Sequence, residues 1–186
     1  MDIPNWIILN SLEKAKLMPN FIKQYIKFID KFNYRIGRIA MFTIFLMVGV
    51  MFYSAITKTF FRPALWTYEF SQFLMVAYFL IGGAYSIQLK GHVRMDLIYG
   101  NWTERTKCRW DSFTSLIMIA YLVLLLYGSI DSTIYAISYG ERSYSIWRPY
   151  MWPIKVIMSF GIFLMLLQAI SQFFKDISGA KGELLK

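Results

Sequence analysis

Cys108 and His92 are the single cysteine and the single histidine of this 186-residue chain, and between them they bound its chemistry. One thiol closes no internal disulfide, and one thiol with one imidazole makes a poor metal site. Haem ligation inside a helical bundle would need more histidines. Thiol oxidoreduction in a membrane would need at least a cysteine pair. No phosphate-binding loop, nucleophile elbow or metal-ligand cluster occurs in the sequence. His92 lies in the tract Lys90-Gly91-His92-Val93-Arg94-Met95-Asp96. A catalytic role there would demand a nucleophile or metal partner, and none is at hand. A structural role needs less: Arg94 can pair with Asp96 or a lipid phosphate, and His92 can bond a neighbouring loop or lie near headgroups. The expectation is a protein that is not an enzyme and holds no cofactor or metal.

The other candidates are isolated polar groups near the ends of apolar runs. Glu69 opens one run, where a carboxylate favours the N-terminal end of a helix dipole. Gln88 closes the same run and can make an interhelical hydrogen bond. Gly82 and Ser86, four residues apart, share a helix face beside Gly83 and would let another helix approach closely. Asp131 is the deepest acid, expected at the outer interface or paired with Arg142 or Arg148. A carrier with its own substrate site shows intramembrane charge or a helix broken at mid-bilayer, and this sequence shows little of either.

These residues are positioned by long apolar elements. Hydrophobic residues make up 57% of the chain, which a soluble domain of this length would have trouble hiding. Sixteen Phe, thirteen Tyr and six Trp suit a chain with long stretches at the membrane–water boundary. A spanning helix needs about 20 mostly apolar residues, and four runs qualify, at about 36–58, 69–90, 111–137 and 151–174. The fold class expected is an all-α integral membrane protein: four transmembrane helices over 36–176, an amphipathic interfacial segment over 1–35, and a tail over 177–186. The first run lies too far from residue 1, and lacks the cleavage pattern, to be a signal peptide.

The formal charge of +9 raises the question of nucleic acid, but the basic residues fall between the apolar runs and not in one patch. Fifteen of the twenty Lys and Arg lie before the first span, between the second and third, or after the fourth. That bias places both termini in the cytoplasm, in a bacterium at its inner membrane. Trp66, Trp147 and Trp152 then mark the outer boundary, and Trp102 and Trp110 the inner one. Within residues 20–33, Phe21, Ile22, Tyr25, Ile26, Phe28, Ile29 and Phe32 recur at helical spacing. Lys23, Gln24, Lys27, Asp30 and Lys31 fill most of the other face. Such a helix would lie in the headgroup plane or pack on a partner subunit.

Three stretches carry a family resemblance. Trp66-Thr67-Tyr68-Glu69, Gly82-Gly83-Ala84-Tyr85 and His92-Val93-Arg94-Met95-Asp96-Leu97 resemble the small membrane subunit of tripartite ATP-independent periplasmic (TRAP) transporters. In that family an outward Trp-x-x-Glu opens the second span, a Gly-Ala segment follows, and then a His-x-x-x-Asp element, matched here by His92 and Asp96. Gly140-Glu141-Arg142-Ser143, Trp147-Arg148-Pro149 and Trp152-Pro153 are similar as well, so that the resemblance covers about residues 36–174. Tyr85-Ser86-Ile87-Gln88 departs from it, since many members carry an Arg near 87 or 88, and the N-terminal segment is longer than in many.

The resemblance implies a three-part, sodium-coupled importer of an organic acid. A periplasmic receptor captures the solute, and a large membrane subunit, paired one to one with this chain, binds it together with Na⁺ and moves it. The small subunit braces the large one and helps dock the receptor. The Gly-His-Val-Arg tract looks closest to members of 2-oxo acid and other monocarboxylate systems. The interface residues implied are Trp66, Glu69, Gly82, Gly83, Ser86, His92, Arg94, Asp96, Glu141, Arg142 and Arg148. The competing expectation is a self-sufficient four-span transporter or channel working as a homo-oligomer, with Asp131 or Glu69 facing its pathway.

Overall fold

The computed structural model describes residues 20–89 and 104–182. They form four α-helices: α1 Asn20–Phe60, α2 Trp66–Gln88, α3 Glu104–Ser138 and α4 Trp152–Gly182. Each contains a stretch long and apolar enough to cross a membrane. Among the described residues the only extended pairing is an isolated bridge between Arg142 and Tyr150. The chain is an all-α membrane protein.

Local chemistry explains where the helices stop. α1 ends at Phe60, just before Arg62-Pro63, because proline disfavours helical geometry in the residue preceding it. The first turn of α2 has no side-chain cap at Leu65, but the Thr67 hydroxyl donates to the Ala64 carbonyl at 2.7 Å. α3 is closed by Gly140 at φ +57°, and the Glu141 N–H reaches back to the Ala136 carbonyl at 3.1 Å. Pro153 sits in the first turn of α4, where its missing N–H leaves no bond unmade.

α4 is the hub. It packs on α1, α2 and α3, whereas among the described helices α3 has α4 as its only extensive neighbour. The core is the seam of Leu122 on α3 with Ile162 and Ala169 on α4, joined by Leu80 of α2. Two glycines set the closest approaches. A Cβ at Gly161 would lie 2.8 Å from the Cβ of Leu80, and one at Gly37 would lie 2.4 Å from that of Tyr85. Small residues let helices approach in an apolar solvent that gives them no hydrophobic reason to associate. The remaining faces, with Phe45, Phe52, Leu124 and Tyr127 all exposed, suit lipid or a neighbouring subunit.

α1 differs from expectation. The amphipathic stretch and the first span form one unbroken helix of 41 residues. Ile26, Ile29, Asp30, Asn33, Tyr34, Gly37 and Ala40 make a single buried stripe at i, i+3 and i+4 steps, so nothing at residue 35 calls for a break. The face is also rotated from the one expected. Phe21 and Phe28 are exposed, while Asp30 is only 7% exposed. Ionic pairing with α4, described next, outweighs the aromatic stripe.

Candidate functional site

Two polar clusters stand out, one at each end of the bundle. At the end carrying the start of α1 and the finish of α4, Asp30 is the centre. Lys175 Nζ lies 2.9 and 2.7 Å from its two carboxylate oxygens. Gln168 Nε2 donates to Oδ1 at 3.0 Å, and the Ser171 hydroxyl points at the same oxygen from 3.5 Å. Asn33 Nδ2 donates to Gln168 Oε1 at 2.7 Å. Gln88, at the close of α2, donates to the Asp30 backbone carbonyl at 3.0 Å. Tyr25 adds a bond from its hydroxyl to the Leu167 carbonyl at 3.3 Å. Asp30 thus ties three helices: α4 through its carboxylate and α2 through its backbone carbonyl. The α4 side is supplied by Gln168, Ser171, Gln172 and Lys175, which follow one another at i, i+3, i+4 and i+7 on a single face.

At the other end, the loop between α3 and α4 folds over the start of α2. The Ser143 hydroxyl donates to Glu69 Oε1 at 3.0 Å. Glu69 is 6% exposed, and its Oε2 is buried with no hydrogen-bond partner. The loop holds its own shape: Ser143 N–H to the Pro149 carbonyl and Met151 N–H to the Glu141 carbonyl, both at 3.0 Å. Glu141 pairs with Lys155 of α4. The Arg142 guanidinium lies 4.3 Å over the Tyr150 ring and also bonds its hydroxyl. Arg148 has φ +48°, a region that side chains other than glycine rarely occupy, and its N–H is bonded to Ser145 Oγ at 3.2 Å. The tip bears exposed Tyr144, Ile146 and Trp147. Below the loop, Ser129 and Thr133 of α3 meet Ser159 of α4 at 2.6 and 3.0 Å. Thr67 meets Ser54 of α1 at 2.9 Å.

Several of the expected residues are placed. Glu69, Glu141, Arg142 and Arg148 come together on or under the outer loop. Trp66 packs between Tyr53, tilted to it at 6.0 Å, and Phe70, edge-on at 5.9 Å between ring centroids. Gln88 makes the interhelical bond its position suggested. Gly83 packs on Met165, whereas a Cβ at Gly82 would meet nothing within 4 Å, and Gly82 and Ser86 line an open groove. Asp131 is exposed, and neither Arg142 nor Arg148 bridges it. His92, Arg94 and Asp96 lie outside the described residues, as do residues 1–18.

Sequence reasoning missed the Asp30–Lys175 pair. Its signal was available in the polar face of α4, which runs past the apolar end of the fourth span. Among the described residues no group of three His, Cys, Asp or Glu could hold a metal. The polar side chains described here fasten elements together.

Comparison with known proteins agrees with this character. A family model described as the DctQ component of tripartite ATP-independent periplasmic transporters matches residues 47–179, well over half of the chain. No curated protein and no solved structure matches it.

Proposed function

Because this chain belongs to the DctQ component family of tripartite ATP-independent periplasmic transporters, we propose that it is the static brace of its transporter. The chain is the small membrane subunit of such a system, which works with a large membrane subunit and a periplasmic binding protein. In this reading the small subunit widens the fixed frame against which the large subunit moves its solute. Its outer loop, with Arg142, Arg148 and the exposed Tyr144, helps seat the loaded receptor. The solute is an organic acid, carried with Na⁺ at sites in the large subunit. Both termini face the cytoplasm, as the distribution of Lys and Arg favours.

One observation carries the reading: the deeply buried ion pair, Asp30 with Lys175, is closed within the chain. A group that handles a moving ion must change partners, whereas this carboxylate of α1 is held by three side chains of α4, Gln168, Ser171 and Lys175. The packing of α3 on α4, with Leu124 and Tyr127 of α3 exposed, supports a role in adding breadth to the frame.

The test is purification of the tagged chain from membranes that also make its partners. A much larger multi-span protein should come down with it in equal amount, and proteoliposomes of the complex should take up solute only with receptor and Na⁺. A chain that purifies alone as an oligomer and catalyses uptake by itself overturns the proposal. Glu69→Ala and Asp131→Ala discriminate further. Loss of uptake with assembly intact would point to solute or ion handling by this subunit.

A further inference from the structure

The cavity that the brace leaves unused is a groove between α1 and α2. It has a volume of about 570 Å³, within the range of roughly 300–1,000 Å³ that holds small ligands. Gly37, Tyr78, Gly82, Tyr85, Ser86 and Met165 line it. The floor is tight, since a Cβ at Gly37 or Gly83 would collide with Tyr85 or Met165. The mouth is empty, since a Cβ at Gly82 would meet nothing within 4 Å. At the end of the groove near Gly37 stands Arg38. Its guanidinium lies 5.9 Å from the centre of the Tyr34 ring, and Tyr34 is set edge-on to Tyr85 of the groove wall at 5.8 Å. No carboxylate pairs with Arg38 among the described residues.

We propose that this groove is a binding site for one anionic phospholipid, with an acyl chain along Gly82 and Ser86 and its phosphate at Arg38. An acyl chain leaving the bilayer for an apolar groove exchanges like for like, so the apolar lining alone selects nothing. Selection comes from the two ends of the ligand together. The groove admits a narrow flexible chain, and the arginine at its end offers forked, charge-assisted hydrogen bonds to a phosphate. Basic residues at this level of a membrane attract anionic headgroups in any case. A helix from another subunit could use the small residues of the mouth, but it would leave Arg38 facing an apolar surface with its charge unmatched. The charge therefore favours the lipid.

The test uses the full chain in nanodiscs of equal phosphatidylglycerol and phosphatidylcholine, followed by native mass spectrometry after mild detergent release. Wild type is expected to retain one phosphatidylglycerol. Arg38→Gln should weaken the preference for phosphatidylglycerol about fivefold, the effect of one basic residue at an anionic surface. Gly82→Leu should abolish retention of either lipid without lowering the unfolding temperature, because the new side chain enters empty space. Leu124→Phe, on the exposed face of α3, should change nothing and so marks ordinary surrounding lipid. The proposal is overturned if Gly82→Leu retains lipid as wild type does, or if wild type retains the two lipids equally. It is also overturned if Gly82→Leu keeps its lipid yet no longer recovers the large subunit, which would assign the groove to a partner helix.

Discussion

The ion pairs at the two ends of the bundle are alike in chemistry and unlike in setting. Asp30–Lys175 joins α1 to α4 with both side chains about 10% exposed. Glu141–Lys155 joins a loop to α4 with side chains 34% and 17% exposed. The first has Gln168 and Ser171 as further donors to its carboxylate, and the second is the more exposed. Water screens the second, so it contributes little to stability. The first has no such screen, and losing either partner would strand a charge out of water. Each end thus has its own character: one ties the helices together, the other shapes an exposed surface.

The largest test of this contrast is Lys175→Met. It should lower stability by about 3–5 kcal/mol, as removal of one member of a buried pair does. Thermal unfolding in detergent would measure it. The double change Asp30→Asn with Lys175→Met should recover most of that loss, since no charge then remains buried. A single variant that unfolds no earlier than Lys155→Met would end the distinction between the ends.

Ser143→Ala comes next. Glu69 already has one buried oxygen without a donor, and this change strips the other. The loss expected is on the order of 1–3 kcal/mol. Proteolysis of the outer loop should rise with it, because the loop would lose its bond to α2. If the loop stays protected and stability is unchanged, the Glu69 contact does not hold it.

The smallest effect expected is that of Lys155→Met, about 0–1 kcal/mol. Its consequence should appear instead in receptor-dependent uptake, as a shifted salt dependence, since charges at the rim of an interface act mainly on association. Unaltered uptake at every ionic strength would place the receptor contact away from this pair.

The apolar layout was legible because each span is a local pattern. Phe70 to Leu89 or Trp152 to Phe174 declares itself in about 20 residues, whatever the rest of the chain does. Local position also revealed Gln88 as an interhelical donor and Glu69 as a group at a helix start. The Asp30–Lys175 pair was not legible in the same way. Its members are 145 residues apart, and each lies in a stretch that reads as a polar flank by itself. Asp30 even shares its turn of helix with Lys27 and Lys31, so its face could be taken for the solvated one. Only the crossing of α1 over α4 turns that acid inward. The open mouth at Gly82 was half legible: the small residues announce a close approach, but sequence does not say by what.

The hub position of α4 has a consequence for how the protein is made. It is the last of the four helices to leave the ribosome, and chains begin to fold from their N-terminal end. α1 and α2 can pair early through Gly37 and Tyr85. Until α4 arrives, however, α3 has no extensive neighbour and Asp30 has no ammonium group. Of the four described helices, α4 is therefore the one that closes the bundle. A chain cut short before Trp152 would leave α3 without its packing on α4 and Asp30 without Lys175.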